Sequence, residues 1–172
     1  MEEMADRYAD RAVRSVFLYT REAHPGENYR HHTSMDDKRH HALAFKKECK
    51  VRRQILLDDV EGTAHSAYGM LPNMTWIMSR GGFIQYKSAW THPADVEDAL
   101  GQALHGLENR SEEGLMPYYS ERVTWANRDT GYFRFGLERA GPQAVTDFFG
   151  EPGAAPKPRP KLAPGAFSAV EE

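Results

Sequence analysis

An apolar stretch that ends in a short polar loop constrains the fold of this chain more than any other feature. Valine, phenylalanine, leucine and tyrosine dominate residues 13–20, which is typical of a strand in a parallel sheet covered on both faces. Glu22 and His24 follow, in a loop marked by Pro25 and Gly26. Because ligands of open α/β sheets collect beyond the carboxyl ends of the strands, Glu22 and His24 are candidate site residues. The alternative is that both side chains only cap neighbouring backbone.

Helical and strand patterns alternate through residues 1–108. The predicted order is helix, strand, helix, strand, helix, β-hairpin and helix, which is typical of an α/β sandwich with a mixed sheet. Ser34 and Asp37 fit a capping box at the start of the second helix. Apolar positions of that helix include Met35, Leu43 and Phe45. The segments are a helix at 1–11, the strand at 13–20, a helix from 34 to about 47, a strand at 53–59, a helix at 61–68, a hairpin at 74–87 and a helix at about 94–108.

The domain organisation is predicted from changes in composition after residue 110. Residues 1–110 form the α/β domain. Residues 111–150 are rich in aromatic side chains and are predicted to be a helical appendage, which either lines a pocket for a hydrophobic ring or packs as a layer on the sheet. Residues 151–172 space five prolines among small residues, which predicts a disordered Pro/Ala-rich tail.

Composition and charge exclude several functional classes. The 172 residues carry a formal net charge of −3, without the basic stripe of a nucleic-acid-binding protein or the polybasic patch of a membrane-surface protein. No apolar run reaches the roughly 18 residues that span a bilayer, and the acidic first residues do not form a signal peptide. Cys49, the one cysteine, cannot form an internal disulfide, which favours a reducing compartment. We therefore predict a cytoplasmic protein with no nucleic-acid or membrane partner, and leave a homodimer open.

Three short motifs occur in order across residues 13–90. Residues 22–24 read Glu-Ala-His directly after the first strand, and residues 32–37 read His-Thr-Ser-Met-Asp-Asp at the start of the next helix. Residues 71–77 (Leu-Pro-Asn-Met-Thr-Trp-Ile) and 82–87 (Gly-Phe-Ile-Gln-Tyr-Lys) follow in the hairpin region. Together they resemble the Glu-Ala-His motif, the His-x-Ser-Leu-Glu-Asp motif and the Leu-Pro-Glu-Arg-Leu-Tyr-Val stretch with its following Gly-Arg-Ile and Tyr-Lys in the iodothyronine deiodinases, a family of the thioredoxin-fold (redoxin) superfamily.

The resemblance implies a selenol or thiol oxidoreductase. In this family a selenolate or thiolate attacks iodine on an aromatic ring, and a proton replaces the iodine at carbon. By resemblance, Glu22 and His24 hold the substrate and help to relay that proton, and His32 feeds the relay. Histidine suits this role because its unperturbed pKa lies near ambient pH.

The same resemblance implies the surroundings of the site and its co-reactants. Pro72, Ser34 and Tyr19 would belong to the substrate and redox-site loops, with Pro72 as a cis-proline that faces the redox centre. No cofactor is expected, since an external thiol reductant supplies the electrons. The substrate would be a small molecule, either a halogenated aromatic or a peroxide.

The sequence departs from the family where the nucleophile is expected. The family carries selenocysteine or cysteine in a loop between the first core strand and the first core helix, whereas Met1 falls inside that helix. We therefore expect an N-terminally truncated thioredoxin-like sandwich whose nucleophile is encoded upstream of Met1, for instance by a UGA codon read as a stop. Sequencing the locus tests this expectation. The alternative is a non-catalytic thioredoxin-fold binding or partner module, which activity assays on the given and upstream-extended chains would distinguish.

A dense group of histidines near the second helix is a candidate metal site. His32, Asp36 and His40 recur every fourth residue, with His31 and His41 beside them. Residues spaced by four share one helix face, which is a common arrangement of metal ligands. Because His32 precedes the helix cap and Asp36 lies in the first turn, we interpret the group as a surface cluster without a metal.

Two further features have a functional and a structural interpretation. Asp58, Asp59 and Glu61 follow the second strand and either bind a cation or cap the next helix, and capping is the favoured interpretation. Cys49 lies among basic residues that would lower its pKa. It does not match the position of the family nucleophile, so we interpret it as a bystander thiol.

Overall fold

Through residue 108, the helices and strands follow the predicted order. The computed structural model of the protein describes residues 1–109, 119–123 and 130–151. Residues 152–172 of the predicted disordered tail, residues 111–118 and 124–129 of the predicted appendage, and residue 110 lie outside the described residues. No helix in the described ranges is long and apolar enough to cross a membrane. The elements are α1 (Glu2–Tyr8, followed by a 3₁₀ turn at Ala9–Arg11), β1 (Val16–Tyr19), α2 (Met35–Glu48), β2 (Gln54–Leu57), α3 (Thr63–Ala67), β3 (Thr75–Met78), β4 (Ile84–Ser88), α4 (Pro93–Glu108), β5 (Ser120–Arg122), α5 (Thr130–Ala140) and α6 (Pro142–Phe149).

The described strands form two sheets. In the first, β1 and β2 are parallel, with Val16 opposite Gln54 and Tyr19 opposite Leu57, and α2 is the crossover between them. In the second, β4 lies between β3, to which it is antiparallel, and β5, to which it is parallel. The predicted α/β class with a mixed sheet is therefore confirmed. Within the described ranges, no single thioredoxin-like sheet joins all the strands.

The second sheet confirms one prediction and corrects another. The β-hairpin is present as β3 and β4, and its turn includes Gly82 at a φ of +80°, a conformation that glycine adopts without strain. The prediction of a wholly helical segment at 111–150 is wrong, because Ser120–Arg122 pair with β4 as a strand. The open edge of β4 offers backbone partners to this segment, and such a long-range pairing leaves no periodic pattern in the sequence.

The first helix, α1, contacts the second sheet and also the start of β2. Met4 is buried against Tyr86 of β4 and Val96 of α4, so one face of the predicted helix packs on the core. The Glu2 carboxylate accepts hydrogen bonds from Arg53 Nε at 2.6 Å and from the Arg52 backbone N–H at 2.8 Å, just before β2. Through these contacts α1 ties the two sheets together. The helical repeat predicts an apolar face of α4 at Val96, Ala99, Leu100, Ala103, Leu104 and Leu107. The first four of these side chains are buried, whereas Leu107 is 48% exposed.

The first sheet is less covered than its apolar sequence predicts. Phe45 of α2 packs against Phe17 and Tyr19, which share one face of β1 because side chains alternate along a strand. Val16 and Leu56 point to the opposite face and are 40% and 41% exposed. The prediction of a strand buried on both faces is therefore wrong, since the described helix packs on one face only.

The second helix, α2, also differs from its predicted apolar face. Met35 and Leu43 are exposed, whereas Lys38 and Ala42 are buried. Lys38 Nζ donates to the Asp59 carbonyl oxygen at 2.6 Å, and burial lowers the pKa of the ammonium group. Hydrophobic periodicity does not identify this position, because a lysine is buried only where a polar partner is available.

The N-terminus of α2 has the predicted cap with one difference. Ser34 Oγ accepts a hydrogen bond from the Asp37 backbone N–H at 3.1 Å, which confirms Ser34 as the N-cap. The Asp37 carboxylate accepts from the backbone N–H and the hydroxyl of Thr33, one residue before the cap. Hydrogen bonds from Thr33 and then Ser34 lower the pKa of Asp37 to about 2.

We expect the contribution of Asp37 to stability to be lost in acid. Because its folded-state pKa is lowered, the stabilisation is fully present above the ordinary value of 3.8 and disappears as the pH falls towards 2. The urea midpoint of D37N should lie below that of the wild type near neutral pH, and the difference should shrink below pH 3.8. D36N is the control, since it removes a charge from the same turn and leaves Thr33 bonded. A deficit of D37N that persists at the acid end would contradict this prediction.

The C-terminal helices α5 and α6 dock on the loop that follows β1. The Asn28 N–H donates to the Ala140 carbonyl oxygen at 2.9 Å, at the end of α5. The Glu27 carboxylate accepts from the Gln143 N–H at 3.1 Å, in the first turn of α6, where a negative charge is favourable. The helices α5 and α6 of the predicted appendage therefore pack on the loop that carries the candidate site residues.

Candidate functional site

Two histidines and a glutamate converge beyond the carboxyl end of β1. Glu22 lies in the loop after β1, His32 lies just before the cap of α2, and His41 lies within α2. His32 Nε2 and His41 Nδ1 are 3.1 Å apart, and Glu22 Oε1 is 3.8 Å from the first atom and 3.6 Å from the second. The side chains of His32, His41 and Glu22 are 4%, 13% and 15% exposed. We call these three residues the acid–imidazole cluster.

Tyr19 contacts the acid–imidazole cluster from the end of β1. Its hydroxyl donates to Glu22 Oε1, and its ring centroid is 5.9 Å from that of His32. Burial and the Glu22 carboxylate both raise the pKa of Tyr19, so the phenol stays protonated. Burial lowers the pKa of His32 and so favours the neutral imidazole. The Glu22 carboxylate has the opposite but smaller effect. A protonated phenol, a carboxylate and two imidazoles are therefore linked in a largely desolvated site.

Tyr29 packs against His41 and is itself held by one residue of α2 and one of α5. The Tyr29 ring meets the His41 ring edge-on at 5.0 Å between centroids, and the Tyr29 hydroxyl donates to Glu48 at 2.7 Å. The Arg139 guanidinium lies 3.8 Å from the centroid of the Tyr29 ring and forms an ion pair with Glu48. Hydrogen bonds from Tyr29 and then Arg139 lower the pKa of Glu48. A helix near the end of the described chain thus helps to position His41.

His24 lies against aromatic side chains of α5 and α6. Its ring meets Phe133 and Phe148 edge-on, at 5.7 and 5.3 Å between centroids, and Phe133 also contacts Trp90 at 6.4 Å. We call His24, Phe133, Phe148 and Trp90 the aromatic patch. Because His24 follows Glu22 by two residues, their Cα atoms are at most about 7 Å apart, and the aromatic patch adjoins the acid–imidazole cluster.

The structure brings some of the predicted site residues together and separates others. Glu22, His32 and Tyr19 are in contact, whereas Ser34 caps α2. Pro72 is exposed in the loop between α3 and β3, and its peptide bond is trans, so the expectation of a cis-proline is wrong. The trans form of an X–Pro bond is favoured by about 0.5–1 kcal/mol, and an exposed loop provides no packing to overcome that preference.

The acidic residues after β2 have structural partners. Asp58 accepts hydrogen bonds from the backbone N–H groups of Ala64 and His65 at 2.9 Å, and Asp59 accepts from that of Thr63 at 2.8 Å. These contacts satisfy the free N–H groups at the start of α3. The interpretation of the acids as helix caps is therefore confirmed for Asp58 and Asp59.

The thiol of Cys49 is not activated. Burial raises the pKa of Cys49, the opposite of the effect predicted from the neighbouring basic side chains. Lys46 and Lys47 are exposed to solvent, which screens their charges, so the desolvation of the thiol dominates. Its assignment as a bystander thiol stays a prediction.

Sequence spacing placed His32 in the wrong group and gave His41 no role. A spacing of four residues links His32 with Asp36 and His40, but both of those side chains are exposed. Helical spacing does not apply to His32, because it precedes the cap, and the loop before α2 places it against His41 instead. Within the described ranges, the acid–imidazole cluster is the group of ligand-type side chains whose donor atoms all lie within 4.8 Å of one another.

The geometry of the acid–imidazole cluster permits two kinds of chemistry. Tyr19, Glu22 and His32 form a candidate path for a proton, because each group can donate or accept one and Tyr19 is hydrogen-bonded to Glu22. The 3.8 Å separation between Glu22 Oε1 and His32 Nε2 must shorten to a hydrogen bond before a proton can pass. The donor atoms of two imidazoles and a carboxylate also lie within 4.8 Å of one another, and these groups are a donor set for a transition-metal ion.

Comparisons with known proteins returned no match. No protein-family model matches the chain, and no curated protein or solved structure does so. The functional inference therefore depends on the geometry of the acid–imidazole cluster and the aromatic patch.

Proposed function

We propose that the chain is a deiodinase-like selenol or thiol oxidoreductase that reductively dehalogenates an iodinated or other halogenated aromatic compound. The observation that carries the proposal is the series of contacts from Tyr19 through Glu22 to His32, in a desolvated site beyond the end of a strand. The reaction must deliver a proton to a ring carbon, and these side chains can relay one in a site largely shielded from bulk water once Glu22 and His32 approach to hydrogen-bond distance.

The proposed reaction consumes two thiol equivalents for each halogen. A selenolate or thiolate attacks the iodine, the electron pair of the carbon–iodine bond stays on the carbon, and a proton relayed through His32 takes the place of the iodine. A second thiolate then attacks the sulfur or selenium that carries the iodine, which releases iodide and leaves a disulfide or selenosulfide. Cys49 is unsuited to the first step because burial raises its pKa. The nucleophile and the reductant are therefore both added as reagents in the assay described below.

The aromatic patch supports an aromatic substrate. Phe148 is 46% exposed, and its ring centroid is 4.7 Å from that of Phe133. A substrate ring that stacks against these side chains would lie within the range of about 4.5–7 Å that aromatic pairs prefer. His24 in the same patch can donate to or accept from a phenolic oxygen. The patch and the proton path are adjacent, as a dehalogenation site requires.

A thioredoxin-like arrangement is part of this proposal. It is supported by the parallel pair β1–β2 with the crossover helix α2, followed by the antiparallel pair β3–β4 and the helix α4. In addition, α1 contacts both sheets through Glu2 and Met4, so the two sheets belong to one packed unit.

Iodide release tests the proposed function. The full chain is incubated with an iodinated phenol, dithiothreitol and selenocystamine, which dithiothreitol converts to a free selenol, and iodide is measured with a selective electrode. We expect the wild type to exceed the protein-free rate. E22Q and H32Q should lower the protein-dependent rate by about 10²-fold or more, the usual contribution of general acid–base catalysis. H40Q is the matched control, because His40 is exposed on α2 and lies outside the cluster.

The same assay covers the other substrate class. Hydrogen peroxide replaces the iodinated phenol, and oxidation of dithiothreitol is the readout. Rates that do not exceed the protein-free blank with either substrate, or that are equal for wild type, E22Q and H32Q, would contradict the proposal. The non-catalytic thioredoxin-fold binding module would then be the better assignment.

A further inference from the structure

The donor atoms of the acid–imidazole cluster have the spacing of a metal site. The separations of 3.1, 3.6 and 3.8 Å among His32 Nε2, His41 Nδ1 and Glu22 Oε1 define a triangle, and the point equidistant from its corners is about 2.0 Å from each atom. Zinc binds histidine nitrogen at about 2.0–2.1 Å and carboxylate oxygen at about 2.0–2.2 Å. An ion at this point is therefore within bonding distance of all three donors.

Hydrogen bonds within the cluster explain only one of the three short distances between its donor atoms. The 3.1 Å contact between His32 and His41 is a hydrogen bond, but Glu22 Oε1 lies 3.6 and 3.8 Å from the two ring nitrogens, beyond hydrogen-bond range. Tyr19 donates to Glu22 Oε1 and holds the carboxylate towards the rings. Outer donors of this kind orient metal-binding carboxylates.

The cluster is also largely desolvated and held in place. The three side chains are 4–15% exposed, and the centroids of the two imidazole rings lie 4.9 Å apart. Tyr29 packs on His41 from outside and is itself held by Glu48 and Arg139. Preorganised donors lose little conformational entropy when an ion binds, which strengthens binding.

We propose that Glu22, His32 and His41 form a binding site for a divalent transition-metal ion, and that Zn²⁺ is the ion they fit best. Two imidazoles and one carboxylate suit Zn²⁺ and its neighbours, whereas Mg²⁺ and Ca²⁺ prefer oxygen ligands. Three protein ligands leave a fourth position for water or a substrate atom. Open sites with two histidines and a glutamate are the pattern of catalytic zinc, and structural zinc sites are closed by four protein ligands.

Metal binding goes beyond the proposed dehalogenation and does not depend on it. Binding needs only the three donor atoms, whereas the dehalogenation needs two of the same side chains, Glu22 and His32, to carry a proton. A bound ion would therefore suppress a proton relay through His32. The experiment below contains neither substrate nor thiol, so its outcome is separate from that of the iodide assay.

Titration of the metal-stripped, tag-free full chain tests the site. ZnCl₂ is titrated by isothermal calorimetry, and CoCl₂ is titrated by visible absorption, which distinguishes four- or five-coordinate Co²⁺ from the octahedral aqueous ion. We expect one ion per chain with a Kd of about 1 µM or lower. H32A, H41A and E22Q should each weaken Zn²⁺ binding by about tenfold or more. MgCl₂ should produce no binding heat.

Two matched variants control for other ligands. H40A removes an exposed histidine of α2 whose ring is 6.2 Å from that of His41, and C49S removes the thiol. Both should bind Zn²⁺ as the wild type does. Circular dichroism checks that each variant is folded, and the wild-type Co²⁺ spectrum is informative without any variant. A wild-type Kd above about 100 µM, an octahedral Co²⁺ spectrum, or unchanged binding by H32A and H41A would each overturn the proposal.

Discussion

Replacing Tyr86 with alanine is expected to lower the free energy of unfolding by about 3–5 kcal/mol, the range for deleting a large buried aromatic side chain. Tyr86 is 2% exposed and packs with Met4 of α1 and with Val96 and Ala99 of α4. Its removal leaves a cavity where the second sheet meets both helices. Because folded domains are stable by only about 5–15 kcal/mol, Y86A should lose a large part of its stability in urea denaturation followed by circular dichroism.

The matched variant Y86F separates the ring from the hydroxyl group. The Tyr86 hydroxyl is buried and has no hydrogen-bond partner among the residues that the structure describes. Removing it deletes an unpaired polar group and keeps the packing, so Y86F should raise the free energy of unfolding by about 1 kcal/mol. A loss of stability in Y86F would show that the hydroxyl has a partner. A Y86A deficit below about 1 kcal/mol would contradict the assignment of Tyr86 to the core.

Replacing Gly26 with alanine is expected to detach the C-terminal helices from the loop after β1. A Cβ atom at Gly26 would lie 2.4 Å from the carbonyl oxygen of Ala140 and 3.2 Å from the backbone nitrogen of Gly141. Both are backbone atoms, so no side-chain rotation relieves the overlap. We expect a loss of about 3 kcal/mol, the upper part of the usual range for overpacking. The hydrogen bond from Asn28 to Ala140 would be broken with it.

Hydrogen exchange measures where the G26A defect lies. Amides of α5 and α6 should exchange faster than in the wild type, while those of α4 keep their protection. Because Arg139 would move away from Tyr29, Zn²⁺ binding at the acid–imidazole cluster should weaken as well. G101A is the control: a Cβ there meets no atom within 4 Å in the middle of α4, and alanine should stabilise that helix by about 0.5–1 kcal/mol. Unchanged exchange in α5 and α6 of G26A would contradict the predicted clash.

Predictions from sequence succeeded where the stabilising contacts are between near neighbours in the chain. The cap at Ser34 joins residues three positions apart, and the hairpin β3–β4 needs only a glycine-containing turn and two apolar runs. The apolar face of α4 follows from the helical repeat, because one face packs on the sheet. In each case the contacts that decide the structure lie within one element or between adjacent ones.

Predictions failed where a distant segment determines the environment. The β5 strand depends on an open edge of β4, and the exposure of Val16 depends on which face of β1 the helix α2 covers. The burial of Lys38 requires the Asp59 carbonyl oxygen, which comes from beyond the next strand. None of these relations leaves a periodic signal in the sequence.

The candidate site also combines local features, which the sequence predicts, with long-range contacts, which it does not. The sequence by itself determined a strand followed by Glu22 and His24, and a capped helix preceded by His32, because apolar runs and caps are local features. The tertiary structure alone decided that His41 completes the cluster, that Arg139 supports it through Tyr29, and that His24 joins the aromatic patch. The contacts of Arg139 with Tyr29 and of Phe133 with His24 join residues more than a hundred positions apart, and they form through the packing of whole elements rather than through the propensities of neighbouring residues.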